Sequence, residues 1–250
     1  MYNKQKQFSE ELFMSVLLKE LFSPVRALFF PDRCALCHKV IEKDTKVCKN
    51  CRKTAPVIRG KTCHLCAMPE KECTCKKHSR YYKALTAPFI YKDVLKTGIH
   101  YWKFENYTVS TSFFAEMIAA SVKEKFSDVT FDYITFIPQT AGEMTERGYN
   151  QTELLADALG RKLNIPVATL LVKIYETKRR HNMPLLFKSG NVTGVFECVQ
   201  PEKIKDKNIL LIDDIKTSGN TLNECAKMLR LYDAQNVYCA VIATTNPRRK

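Results

Sequence analysis

The chain has 250 residues, 45% of them apolar, enough for one sizeable domain and a small companion. It contains no run of about 18 uninterrupted apolar residues, which excludes a membrane-spanning helix. The formal charge of +14 suits partners such as nucleic acid, nucleotides or phosphates without selecting among them, and a solvated basic surface accounts for it equally well.

In chain order, Phe8, Leu12, Phe13, Val16, Leu17 and Leu21 recur at near-helical spacing, with Glu10, Glu11, Lys19 and Glu20 between them. An amphipathic helix over about 8–22 is expected, packed on the rest of the protein. Acids inside that stretch argue against a signal or transit peptide, and a cytoplasmic protein is expected.

Eight cysteines follow between Cys34 and Cys75. Cys34-x2-Cys37 and Cys48-x2-Cys51 have metal-ligand spacing, as do Cys63-x2-Cys66 and the tighter Cys73-x-Cys75. Two such pairs complete one closed tetrahedral zinc site, and without a secretory signal disulfides are disfavoured. Two structural Zn2+ ions are therefore expected, with sequential grouping (34/37/48/51, then 63/66/73/75). An interleaved grouping would use the same residues, and His64 or His78 would be able to replace one thiolate of the tight pair. With each Zn(Cys)4 site carrying −2, the net charge becomes +10. The segment is polar and Lys-rich, so metal binding would supply its folding free energy. Cys198, Cys225 and Cys239 stand in apolar patterns and read as small core residues.

From residue 81 onwards the pattern is that of an α/β domain. Residues 91–104 and 113–126 read as helices, 131–138 as a core strand, and 151–163 as a helix with Leu154, Leu155, Ala158, Leu159 and Leu163 on one face. A strand is expected at 209–213, then a helix burying Leu222, Cys225, Ala226 and Leu229, then a strand over 237–243. Alternating strands and helices point to a parallel sheet. The expected domains are a helix in 1–30, a zinc module in 31–80 and the α/β domain in 81–250.

Residues 209–222 read Ile-Leu-Leu-Ile-Asp-Asp-Ile-Lys-Thr-Ser-Gly-Asn-Thr-Leu. Four apolar residues suit a strand buried on both faces, and two carboxylates with a hydroxyl- and glycine-rich turn then open a helix. That order places acids and free backbone N–H groups where open α/β sheets bind ligands, and a helix N-terminus there suits a phosphate. A phosphorylated sugar is the ligand this chemistry fits. A receiver-type domain also begins with a strand and two acids, but only 36 residues follow Asp214, too few for one.

The motif resembles the phosphoribosyl pyrophosphate (PRPP) signature of type I phosphoribosyltransferases. The resemblance implies that Asp213 and Asp214 hold the ribose hydroxyls. It also implies that Lys216, Thr217, Ser218, Gly219, Asn220 and Thr221 form the loop around the 5′-phosphate. Pro138 with Glu146-Arg147-Gly148-Tyr149-Asn150-Gln151, Lys103-Phe104 after Tyr91 and Ile99, and Thr177, Lys188 and Asn191-Val192-x-Gly194-x-Phe196 resemble blocks of the ComF family. That family couples a zinc-ribbon module to a phosphoribosyltransferase-like domain.

The family resemblance implies an α/β fold, a type I phosphoribosyltransferase-like parallel sheet with a small N-terminal zinc-ribbon module. It implies PRPP with Mg2+ as ligand, and Asp213, Asp214, Arg147 and Lys103 as catalytic residues for transfer to an unassigned acceptor with release of pyrophosphate. The loop before Arg147 lacks the family's usual cations, which weakens the expected grip on pyrophosphate. Lys178, Arg179 and Arg180 would compensate. The alternative is a non-catalytic protein handling single-stranded DNA in DNA uptake, using PRPP as a ligand and working with DNA-uptake machinery proteins. Tyr81, Tyr82, Tyr101 and Trp102 would then stack on bases, although core or interdomain packing is the commoner role of such aromatics.

Overall fold

The structure is a computed structural model that describes residues 31–75, 80–104, 109–139, 149–174 and 195–245. Its elements in chain order are α1 (Lys49–Thr54), β1 (Ala84–Thr86), β2 (Phe89–Ile90), α2 (Val94–Phe104), α3 (Val109–Lys125), β3 (Tyr133–Phe136), α4 (Gln151–Leu163), β4 (Leu171–Lys173), β5 (Phe196–Cys198), β6 (Asn208–Lys216), α5 (Asn220–Leu231) and β7 (Asn236–Thr244). The expected helix at about 8–22 lies outside the described residues. So do His78, Arg147, Thr177, Lys178, Arg179, Arg180, Lys188 and residues 191–194.

Strands β1, β7, β6 and β3 lie side by side in that order, and β2 also pairs with β7. Every pairing in this sheet is parallel. Side chains of β6 alternate between two buried faces, as a central strand of a parallel sheet must. Leu210 and Ile212 pack with Phe114 and Ile118 of α3 and Leu155 and Leu159 of α4. Ile209 and Leu211 pack with Leu222, Cys225, Ala226 and Leu229 of α5. The sheet is thus covered on both sides, and β4 and β5 form a separate antiparallel pair.

The expected helix at 151–163 is α4, capped by Asn150, whose side chain accepts from the N–H groups of Thr152 and Glu153. The signature strand runs further than its expected 209–213. Lys216 still pairs with Thr244, because β7 continues beside it and offers partners beyond the two acids. Strands β1 and β2 are absent from the sequence reading. Ala87 and Pro88 break the stretch into pieces too short to show a period.

The two cysteine segments repeat one knuckle. The Cys34 N–H bonds to Lys39 O at 2.8 Å and His38 N–H to Cys34 O at 2.9 Å, while Cys63 N–H bonds to Met68 O and Ala67 N–H to Cys63 O, both at 2.9 Å. His38 and Ala67, each following the second cysteine of its knuckle, both have positive φ, 62° and 56°. The repeats dock on opposite faces of the sheet. Leu36 of the first joins Trp102 and Phe114 in one core cluster, and Ala67 of the second joins Tyr82 and Leu85 in the other.

The first docking depends on a missing side chain. A Cβ on Gly98 would lie 2.7 Å from the Ala35 carbonyl and 2.9 Å from Leu36 Cα, both backbone atoms that cannot swing aside. Gly98→Ala is therefore expected to destabilise the protein by about 1–3 kcal/mol. The thermal midpoint should fall by about 2–4 °C for each kcal/mol. Differential scanning calorimetry checks this, and an unchanged midpoint would contradict the docking.

Candidate ligand site and cysteine clusters

Strand alternation separates the two acids of the signature. Asp213 continues the face of Ile209 and Leu211, and Asp214 that of Leu210 and Ile212. The Asp213 carboxylate accepts the Asp214 N–H at 2.8 Å, and the Asp214 carboxylate accepts the Ile215 N–H at 2.6 Å. Burial, with the neighbouring Asp214 charge added, pushes the Asp213 carboxyl well above its usual range, and Lys103 acts in the opposite sense. The site thus holds one carboxylate, Asp213, whose ionised form is disfavoured until hydroxyl or cationic partners arrive.

Lys103, in the last turn of α2, forms an ion pair with Asp214. Its backbone carbonyl accepts from Gln151 Nε2 at 3.0 Å, and Gln151 Oε1 accepts from Gln139 Nε2 at 3.1 Å. Gln139 Oε1 is buried without a hydrogen-bond partner. Residues from α2, the end of β3, the start of α4 and the end of β6 therefore converge beside Asp214. Gln139 was not among the expected site residues, since a lone glutamine after a strand carries no signal of its own.

After β6 the chain turns at Gly219, whose φ of 78° lies in the left-handed region that favours glycine. Gly219 is the N-cap of α5 and has no side chain of its own with which to satisfy the first N–H groups of the helix. Ser218 Oγ accepts the Asn220 N–H at 3.3 Å, and Thr217, Ser218, Asn220 and Thr221 are exposed around the bend. Lys216 behaves differently: it is only 4% exposed. Lys103 meets Asp214 directly and the 217–221 loop follows β6 in the chain, while Arg147 lies outside the described residues.

The cysteines fall into the sequential grouping. The sulfurs of Cys34, Cys37, Cys48 and Cys51 lie within 4.8 Å of one another, as do those of Cys63, Cys66, Cys73 and Cys75. A tetrahedral zinc with bonds of about 2.3 Å requires sulfur separations of about 3.8 Å. Cys37 and Cys48 are 3.8 Å apart; Cys63–Cys75 and Cys66–Cys73 are each 3.5 Å apart and Cys73–Cys75 3.1 Å, so the first set matches one zinc and the second would open slightly around one. Backbone N–H groups already point at the sulfurs, Cys48 N–H to Cys34 and Cys51 N–H to Cys48, both at 3.4 Å. The Cys51 N–H bond brings the Cys48 thiol down to about 7, whereas burial pushes Cys51 and Cys66 up. Thiols split in this way share protons until a cation replaces them.

Of the aromatic residues considered for base stacking, Tyr82 and Trp102 are each 2% exposed and belong to the core. For both, the packing reading holds and base stacking is excluded: the docked ribbons and α3 cover them. Tyr101 stacks on His38 with ring centroids 4.0 Å apart. Tyr81 is 47% exposed, with the Lys227 ammonium 5.8 Å from its ring centre.

Residues 151–250 match the family described as phosphoribosyl transferase domain, and residues 25–82 the double zinc ribbon domain. The competence protein ComFC of Bacillus subtilis is 27% identical over 203 residues, covering 76% of this chain and 80% of that protein. ComFC of Streptococcus pneumoniae is 26% identical over 78% of this chain and 86% of that protein. The DNA utilization protein YhgH of Escherichia coli K12 is 22% identical over 78% and 83%. Among solved structures, a glutamine PRPP amidotransferase from B. subtilis complexed with ADP and GMP is similar over 53% of this chain and 26% of that one, with 20% identity and a TM-score of 0.39.

Proposed function

Because this chain belongs to the ComF family, we propose that it binds PRPP at the carboxyl end of β6 and transfers its phosphoribosyl group to an acceptor, releasing pyrophosphate. The observation that carries the reading is the Lys103–Asp214 ion pair on β6, a buried parallel strand that turns at left-handed Gly219 into the start of α5. The amides after Gly219 would clasp the 5′-phosphate, with hydroxyls of Thr217, Ser218 and Thr221 around it. Asp213 and Asp214 would accept from the ribose hydroxyls. Attack on the anomeric carbon then passes through an oxocarbenium-like state, and the bond to pyrophosphate breaks as the bond to the acceptor forms. Positioning and charge stabilisation do most of this work.

Lys103, released from Asp214 as the sugar enters, and Arg147 would neutralise the leaving group. Magnesium bound with PRPP would supply further positive charge, and the carboxylates of Asp213 and Asp214 are the described oxygen donors suited to face it. The two cysteine sets would hold structural zinc, with no position left for substrate.

The test is calorimetric titration of PRPP with Mg2+, followed by an assay for pyrophosphate with candidate acceptors. Wild type is expected to bind, and Asp214→Asn to lose binding by at least about tenfold, the scale of one charge-assisted hydrogen bond. Absence of heat with wild type would overturn the reading. Binding without turnover across bases, amines and nucleic acids would remove only its catalytic half.

A second reading, single-stranded DNA handling in the cytoplasm alongside DNA-uptake proteins, rests on Tyr81. Its exposed ring stands beside α5, where its backbone N–H donates to Asn223 Oδ1 at 2.9 Å and the Lys227 ammonium approaches the ring. Affinity for single strands should then fall steeply with salt and drop in Tyr81→Ala.

A further inference from the structure

The second ribbon does not merely lie near the phosphate loop; it is fastened to the elements that hold it. Three successive carbonyls of its first knuckle are taken up by the α/β domain. His64 O accepts the Leu85 N–H at 2.7 Å, Leu65 O the Tyr82 hydroxyl at 2.8 Å, and Cys66 O the Thr244 hydroxyl at 2.7 Å. Two of these donors reach the signature directly. The Tyr82 hydroxyl oxygen lies 3.6 Å from where a Gly219 Cβ would stand, and Thr244 is the strand partner of Lys216. Arg80 adds a bond to Ser218 O at 3.4 Å.

Lys216 completes the connection. Its Cε lies 3.4 Å from the same Gly219 Cβ position, so its stem runs beneath the bend of the loop. Burial opposes its charge and Arg80 adds to that, while the sulfurs of Cys66, Cys75 and Cys63 act in its favour. Lys216 is joined to the cluster through its strand partner Thr244, whose hydroxyl donates to Cys66 O, so the −2 charge of a zinc on four thiolates and the buried ammonium would stabilise one another. The first cluster lies on the opposite face of the sheet and shares none of these contacts.

We propose that the second cysteine cluster is a positioning device for the phosphate loop, acting through Lys216 and Tyr82, so that metal at Cys63, Cys66, Cys73 and Cys75 and phosphate at 217–221 favour one another. The proposal rests on PRPP binding for its second half only. Metal at the cluster draws Lys216 and Tyr82 into one arrangement, which fixes the φ of Gly219 and presents the α5 amides. By linkage, phosphate held there retards loss of the metal.

Two measurements test this on the full zinc-loaded chain. In the first, without ligand, hydrogen exchange of amides 217–222 is compared among wild type, Lys216→Met, Lys216→Arg and Tyr82→Phe. Exchange should quicken by about fivefold or more in Lys216→Met and Tyr82→Phe, with Lys216→Arg close to wild type. In the second, zinc release to a chromophoric chelator is followed with and without PRPP. One of the two zinc equivalents should leave about fivefold more slowly with PRPP present, and Lys216→Met should abolish that difference. If PRPP gives calorimetric heat yet both equivalents leave at ligand-independent rates, the coupling is refuted while PRPP binding stands. If PRPP gives no heat, the binding reading fails, and the exchange experiment alone decides: unchanged loop exchange in both variants overturns the proposal.

Discussion

Asp213→Asn is expected to stabilise the ligand-free protein while weakening PRPP binding by about 10–150-fold. The binding loss corresponds to one hydrogen bond to a charged acceptor, about 1.5–3 kcal/mol. The gain in stability follows from the local electrostatics. Burial and the adjacent Asp214 charge hold the Asp213 carboxyl well above its usual range, so ionising it costs the folded state free energy. An amide of the same shape removes that penalty. A gain on the order of 1 kcal/mol would raise the thermal midpoint by about 2–4 °C.

The pH dependence has a definite sign. Between the unfolded value of about 3.9 and the raised folded value, the native state holds a proton that the unfolded chain has lost. Stability of the ligand-free wild type therefore falls as pH rises through that window. Asp213→Asn should lack this slope. Because ribose hydroxyls donate to the ionised form, PRPP binding should also release protons and weaken as pH drops. Thermal midpoints across pH, with calorimetry in buffers of different ionisation enthalpy, check both statements. An Asp213→Asn protein less stable than wild type would show that the carboxylate supports the fold instead of straining it.

Removing zinc should have the larger structural effect. The buried side chains of the cysteine segment are few: Ala35, Leu36, Val47, Pro56, Ala67 and Met68 besides the cysteines Cys34, Cys51 and Cys66. Such a segment gains little from apolar burial alone, and the apparent binding free energy of a structural zinc, about 10–16 kcal/mol in small peptides, is comparable to the whole stability of a domain, about 5–15 kcal/mol. Chelation is expected to make residues 31–75 sensitive to protease and to lower the thermal midpoint of the entire chain. The second effect arises because Leu36 and Ala67 are built into the two core clusters. Metal analysis should find two zinc ions per chain before treatment. A chelated protein with an unchanged midpoint would show that the ribbons fold independently of metal. Among the described residues no helix is long and apolar enough to cross a membrane.

Local pattern determined a good deal by itself. Leu222, Cys225, Ala226 and Leu229 recur at helical spacing, and all four are buried on α5. Residues 209–212 form a continuous apolar run because β6 is covered on both faces. The cysteine spacing anticipated the two sets, since two thiols three residues apart can wrap one cation wherever the segment docks. The Asp-Asp and Gly219 positions were legible for a similar reason: a strand, a left-handed turn and a helix start are local events.

Tertiary structure alone decided the rest. Spacing left the sequential and interleaved cysteine groupings open; the folded sulfurs choose the first. Lys103 entered from a family resemblance, because nothing around it in the chain announces Asp214 as its partner. Tyr82 and Lys216 carry no local signal of burial, yet both are buried in the fold, Tyr82 where the second ribbon packs against it. That packing is a contact between segments far apart in the chain, and no period or spacing encodes it. A residue's nearest neighbours in sequence set its backbone; what covers its side chain depends on how the finished elements dock.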